Sequence, residues 1–471
     1  MTPTDSSFHV HSTAAIPSTW PLYTSASLAL LQSMHFGWSL SQLNYSAFHA
    51  PDDCAETSPS AACLMFPGHS ASQWTLAVNA WVVGGMLGSL ASGALADAVG
   101  RRRTFQLNAV VMVVAAAVQS LSSSVVLFSL GRWLAGLASG AATAMPNSYI
   151  NEIAPPHLRS HLGVGFQVSI SIGILLVGAS FFLVDGSPSA WRWIAAAPGL
   201  LGLVCLLGTP RWLVESPSWL LTQGRREDAE HVLERLVGPA HVHAALEWTS
   251  AGAGARDVQP QEKRSTWRAL VSPPYRRQTT LALALAAALQ LTGSSVAFLY
   301  SASLFVAAGV ADDRVGTLVV NIASLLPSFV AGAWAQRVGN RAAIQRGQLA
   351  MLGSAVGLTA ALALELPVAA IACVALYVVA FSLSLGAWAL LIAAEVLPNH
   401  LQAAGASLAL GTNWAAMLLV GAGYPPVAEA AGAWGFVPFI AALALFLAFF
   451  QRALPETLGK SSREIQRAFL A

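Results

Sequence analysis

Apolar stretches of about 20 residues, the length of a helix that crosses a bilayer, alternate along this chain with short polar or basic breaks. The pattern predicts helices over 22–43, 74–97, 104–124, 127–150, 163–184 and 191–213. After a polar stretch it predicts six more, over 279–308, 315–336, 342–364, 367–394, 402–424 and 433–453. Two decapeptides at matching places support the division into sixes: Gly93-Ala94-Leu95-Ala96-Asp97-Ala98-Val99-Gly100-Arg101-Arg102 and Gly332-Ala333-Trp334-Ala335-Gln336-Arg337-Val338-Gly339-Asn340-Arg341. Their glycines, a pair of alanines, the valine and the last arginine fall in register. A repeat spaced by about half the chain points to a membrane protein built from two related halves, an arrangement common among transporters. The expected fold class is all-α, with twelve transmembrane helices in two pseudo-symmetric six-helix halves.

The same pattern sets the expected organisation. Residues 1–21 form an N-terminal segment, 22–213 the first half, 214–278 a linker, 279–453 the second half and 454–471 a tail. The linker is more polar than the rest. Ala229, Val232, Leu233 and Leu236 recur there at helical spacing, which predicts short amphipathic helices, with a flexible Gly/Ala-rich break near Ala251 to Ala255.

Composition agrees. The chain has 471 residues, 55% hydrophobic and 10% charged. A soluble chain of this length carries about a quarter charged. Charge position then orients the spans. With both termini cytoplasmic, only Arg132, Arg192 and Arg314 of the 24 Lys and Arg fall outside or at outer helix ends, which satisfies the positive-inside bias. The polar start lacks a basic region followed by a short apolar core, so no cleaved signal peptide is expected. Cys205 and Cys373 read as buried thiols. Cys54 and Cys63 share the long outer loop, roughly 44–73, and either pair or stay free. Asn44-Tyr45-Ser46 is a glycosylation sequon very close to the first span.

Motifs along most of the chain resemble those of the sugar porters of the major facilitator superfamily, and among them the facilitative glucose transporters. The residues that carry the resemblance are the two repeats, Gly131-Arg132, Tyr149-Ile150-Asn151-Glu152-Ile153-Ala154-Pro155 with Arg159, and Glu215-Ser216-Pro217. Further along come Gln290-Leu291-Thr292-Gly293 with Tyr300-Ser301, Ala394-Glu395, Asn413-Trp414 and Pro455-Glu456-Thr457-Leu458-Gly459-Lys460. The resemblance implies alternating access to a central sugar site, with no cofactor and no metal.

Charged helix ends are costly in a membrane unless solvated or paired. Asp97, Arg101, Arg102, Glu152, Arg159, Glu215, Arg337, Arg341 and Glu395 gather at the expected cytoplasmic ends, where they are expected to latch the halves together when the outer side is open. The competing reading is solvated helix ends. Gln336, Asn340, Ser218 and Gln402 stand where relatives carry charged residues, so fewer ion pairs are expected in the latch.

A sugar presents hydroxyls and no charge, so its site calls for neutral amides with an aromatic face. Gln167, Gln290, Asn321 and Asn413 lie within predicted spans, with Trp388 and Trp414 as aromatic faces and Ser295 where relatives carry asparagine. Resemblance places Gln167, Gln290 and Asn413 at sugar-contact positions. Each amide has the alternative of bonding a neighbouring helix. Leu289, Ser382 and Met417 depart from polar family residues, and Ser324 is the alternative to Asn321. In proton-coupled relatives an aspartate follows the first-span motif; here Phe36-Gly37-Trp38 precedes Ser39, which does not titrate in the physiological range. His35 is the titratable alternative, read as a packing residue.

The expected function is transport of a neutral sugar, a hexose such as glucose, by facilitated diffusion. A proton-coupled symporter and a carrier of a polyol or another organic solute are the alternatives, with a non-transporting sensor more distant. The sequence lacks HExxH, P-loop and nucleophile-elbow motifs, so no enzyme is expected. The expected partners are the sugar and the lipid bilayer. Nucleic acid is not expected, and the protein is expected to act as a monomer in the plasma membrane.

Overall fold

The computed structural model describes residues 19–49, 54, 63–183, 189–254, 268–398, 401–460 and 462–469. The segment 1–18, most of the loop between the first two spans, residues 255–267 and the last two residues lie outside the described residues. The described residues are helical, with no strand among them.

The first half contains α1 (Trp20–Ser41), α2 (Ala71–Val99), α3 (Arg101–Leu121), α4 (Val125–Ile153), α5 (Pro156–Ser180) and α6 (Ala190–Trp212). Three short linker helices follow: α7 (Pro217–Thr222), α8 (Arg226–Val237) and α9 (Val242–Gly254). Helix α9 runs through the Gly/Ala-rich residues 251–254, where a break is expected from the sequence. The alanines there favour helix enough to carry its last turn.

In the second half the seventh span is three helices, α10 (Arg276–Leu291), α11 (Ser294–Leu299) and α12 (Ser301–Ala307). Next come α13 (Asp313–Val338), α14 (Asn340–Ala363), α15 (Pro367–Leu383), α16 (Leu385–Glu395), α17 (Gln402–Ala431), α18 (Val437–Ala453) and the short α19 (Ser462–Arg467). Nine helical segments among the described residues are long and apolar enough to cross a membrane. Helix α1 falls below that hydropathy because it carries Gln32, His35 and several serines, and these are turned inward.

Local chemistry sets several ends. Ser70 and Gln73 form a reciprocal capping box that starts α2, and Ser124 caps α4. Gly100 and Gly339 turn the chain at φ 92° and 86° between paired helices, a conformation that favours glycine.

Within the first half, small residues let helices touch. A Cβ on Gly84 would lie 2.1 Å from the Trp133 carbonyl, and one on Gly136 would lie 2.1 Å from that of Trp81, so α2 and α4 meet backbone to backbone. Between the halves, α5 packs on α13 and α2 on α17. The chain is an integral, multi-pass membrane protein with the expected all-α architecture.

Candidate functional site

The two ends of the bundle differ. At the end bearing the loop cysteines, the halves are joined by hydrogen bonds. Ser41 Oγ donates to the Phe298 carbonyl at 3.0 Å. Asn44 Nδ2 donates to Ser301 Oγ at 2.8 Å, and the Ala302 amide donates back to Asn44 Oδ1 at 3.0 Å. The Ser46 amide reaches Asp313 Oδ2 at 2.9 Å. Asn44 is 2% exposed and its amide is engaged on both sides, so this conformation leaves no room for a glycan on the sequon. Cys54 and Cys63 form a disulfide beside these contacts. His49 Nδ1 lies 2.8 Å from His69 Nε2, and burial together with His69 pushes the His49 pKa down to about 4.

At the opposite, basic end the charged groups bond within one half. Arg101 places Nε 3.0 Å from Glu152 and Nη2 3.1 Å from Asp97, while Nη1 donates to the Ala96 carbonyl. Its planar fork is spent on α2 and α4, so Arg101, Asp97 and Glu152 staple the first half rather than join the halves in this conformation. A latch between the halves is expected in the opposite state, with the outer side open, whereas here the loop end is the closed one.

Glu215 accepts from the amides of Arg101 at 2.7 Å and Arg102 at 3.3 Å. It therefore caps the N-terminus of α3, where the helix dipole favours a carboxylate. Glu456 mirrors it on the amides of Asn340 at 2.9 Å and Arg341 at 3.2 Å. Burial raises the Glu215 pKa, and the amide bonds from Ser216, Arg101 and Arg102 oppose that rise. The Arg102 guanidinium donates to the Pro210 carbonyl.

Arg159 donates to the Ala154 carbonyl and lies 5.2 Å from the Trp248 ring of the linker, a cation–π contact. Arg341 donates to the Gln451 carbonyl. Arg337 is exposed, with no ion pair among the described residues. Glu395 is partly buried. A cavity of about 460 Å³ at this end, lined by Arg102, Arg103, Arg211, Arg225, Arg235 and Glu215, lies away from the amides in the spans.

Midway along the spans, the seventh span breaks. Gly293 adopts φ 97° and Tyr300 φ −138°, ψ 12°. The freed Thr292 carbonyl accepts from Tyr377 at 2.7 Å, and Tyr300 donates to the Gly421 carbonyl at 2.7 Å. The break leaves Gln290 partly exposed beside Asn413, with Nε2 2.9 Å from Asn413 Oδ1, whereas Leu289 is buried. Gln167 and Trp388 are also partly exposed.

Ser295 Oγ, Trp388 Nε1 and Trp414 Nε1 are buried polar atoms with no partner among the described residues. Trp414 packs on Trp81 at 5.6 Å and Phe36 at 6.0 Å, and its ring occupies the space a Cβ on Gly85 would need.

Asn321 takes the helix-contact alternative in this conformation. It is 1% exposed and donates to the Ile174 carbonyl at 3.0 Å, so here it joins α13 to α5. Ser324 donates to the Asn321 carbonyl and also lies in that joint. A span-facing amide carries no sequence mark that separates a helix contact from a sugar contact.

Sequence reasoning did not place Asn44 and Ser41 between the halves, nor give Glu215 and Glu456 a capping role. The sequon drew attention to Asn44 for another reason. The Glu after each half's last span was a visible signal for the caps.

Residues 11–469 match the family model described as "Sugar (and other) transporter". The chain belongs to the sugar transporter family. The human "solute carrier family 2, facilitated glucose transporter member 4" is 30% identical over 466 residues, covering 94% of this transporter and 89% of that protein. "Facilitated glucose transporter protein 1" of Caenorhabditis elegans is 31% identical over 423 residues, covering 84% and 80%. The partially occluded, inward-open structure of the xylose transporter XylE from E. coli aligns with TM-score 0.78 at 21% identity, covering 94% of this transporter and 100% of that chain. That likeness shows the major facilitator fold. The matched relatives are transporters, not enzymes.

Proposed function

We propose that the protein moves a neutral hexose such as glucose across the membrane by alternating access and facilitated diffusion. The observation that carries this is the broken seventh span, which sets the Gln290 amide beside Asn413 midway through the bundle, with both side chains partly exposed. Two amides and unpartnered indole N–H groups offer donors and acceptors to hydroxyls, and no charge to an ion. Gln290, Asn413, Gln167, Trp388, Trp414 and Ser295 bind substrate in this reading, and Asn321 joins them only where α5 and α13 separate.

The halves are joined at the loop end, so in this reading the basic end is the one that opens from this state. With the positive-inside bias, that end and both termini face the cytoplasm. The charge clusters keep each half rigid while the halves rock, and Arg337, Arg341 and Glu395 take part in holding the inside shut in the opposite state. The plasma membrane and a monomeric unit are part of the same reading. Ser39 beside Arg132 supports uniport.

The test is uptake of labelled glucose into proteoliposomes, with and without an imposed proton gradient. Equilibration unaffected by the gradient is the expected result. Accumulation above equilibrium would replace uniport by symport, and transport of a polyol without glucose would replace the hexose.

A further inference from the structure

Arg132 carries a charge inside the membrane-spanning bundle with no carboxylate beside it among the described residues. It is fully buried on α4. The six spans of the first half contain no Asp or Glu apart from Asp97 and Glu152, and both engage Arg101 at the far end. Arg132 Nη1 donates to the Ser39 carbonyl at 2.9 Å and to Gln42 Oε1 at 3.4 Å, and the guanidinium lies 5.4 Å from the Trp81 ring. These are neutral partners. An arginine so placed is costly unless something neutralises it.

The polar atoms left over nearby have one character. Arg132 Nε, Ser39 Oγ and His35 Nε2 are buried, with no hydrogen-bond partner among the described residues. Trp81 Nε1 donates to Ser139 Oγ at 3.0 Å, and Ser139 lies 3.4 Å from His35 Nδ1. With the serine hydrogen directed to Nδ1, the His35 proton sits on Nε2, which becomes a donor. His35 and Ser39 are one turn apart on α1 and so share a face. Three unmet donors and an unneutralised cation ask for an acceptor with negative charge. A water molecule would bring two hydrogens that need acceptors of their own.

We propose that Arg132, Ser39 and His35 bind a single halide ion, chloride in a biological setting, between α1 and α4. The ion supplies the counter-charge that a carboxylate would otherwise provide. Full burial of Arg132, Ser39, His35 and Trp81 favours a monatomic ion over a carboxylate or phosphate ligand. Trp81, on which the Arg132 guanidinium lies, also packs on Phe36 and Trp414, so ion binding adjoins the wall of the proposed sugar site.

The test uses the purified full chain and requires no sugar, so its outcome is independent of the transport reading. Thermal unfolding and equilibrium binding of radiolabelled chloride are measured while chloride replaces gluconate at constant ionic strength. The expected result is a saturable rise in the unfolding midpoint, about one chloride bound per chain, and competition by bromide. Ser39→Asp supplies a carboxylate and should abolish both effects. Ser39→Val removes one donor and should raise the half-saturating chloride about tenfold; it serves the test if the aspartate variant does not fold. Equal behaviour of chloride and gluconate in the parent protein overturns the proposal. So does undiminished binding in both Ser39 variants.

Discussion

Replacing Asn44 by alanine tests whether hydrogen bonds at the loop end set the balance between the two access states. The Asn44 side chain donates to Ser301 and accepts from the Ala302 amide, across the boundary between the halves. Ala302 is 2% exposed, so the substitution also strands a buried N–H. Two bonds at about 1 kcal/mol each, with a further cost for the stranded amide, give about 2–3 kcal/mol against the loop-closed state. At about 1.4 kcal/mol per tenfold, the population shifts about 30- to 140-fold towards opening at that end. Opening itself frees the Ala302 amide to water, so the cost falls on the closed state alone.

The assay is the labelling rate of a cysteine placed at Asn413 by a membrane-impermeant maleimide added from the loop side. Cys205 and Cys373 are first replaced, while Cys54 and Cys63 are already paired. Where access limits the reaction, the rate rises by the same factor as the open population. Asn44→Asp keeps the acceptor for Ala302 and loses the donor to Ser301, so an intermediate rise is expected. A folded Asn44→Ala protein that labels at the parental rate would refute the reasoning.

Gln290→Ala should weaken sugar binding about tenfold or more, because hydroxyls in a closed cavity lose a partner; Gln167→Ala should be similar and Leu289→Ala milder, as competition binding would show. If Leu289→Ala were the most damaging, the helix face assigned to the cavity would be wrong. Arg101→Gln removes the cation that faces the buried Glu152 carboxylate, to which Ser148 also donates, and should cost about 3–5 kcal/mol of stability, seen as a lower unfolding midpoint. The side-chain partners of Arg101 observed in this state all lie in the first half, so an unchanged access balance would confine Arg101 to stapling that half, and altered labelling from either side would show that it also latches the halves in the opposite state.

Hydropathy located the spans, because a bilayer admits only segments that are long, apolar and internally hydrogen-bonded, but not the breaks at Gly293, Tyr300 and Ser384 inside the segments 279–308 and 367–394. The repeat around Gly93 and Gly332 exposed the two related halves, and the motifs around Gln290 and Asn413 named the family. The candidate amides were legible too, since a neutral ligand rich in hydroxyls calls for such groups; their binding of substrate is the proposal tested above. Other features needed tertiary structure. Asn321 and Gln290 look alike in sequence, but only the break at Gly293 leaves Gln290 partly exposed, while α5 covers Asn321. The charged motifs gave composition at the basic end without partners: Arg101 closes on its own half and Glu215 caps a helix because of how α2, α3 and α4 converge. Which end is closed was likewise undetermined by the sequence. It depends on contacts between residues as distant as Asn44 and Ser301, and an energy difference of a few hydrogen bonds leaves no periodicity to read.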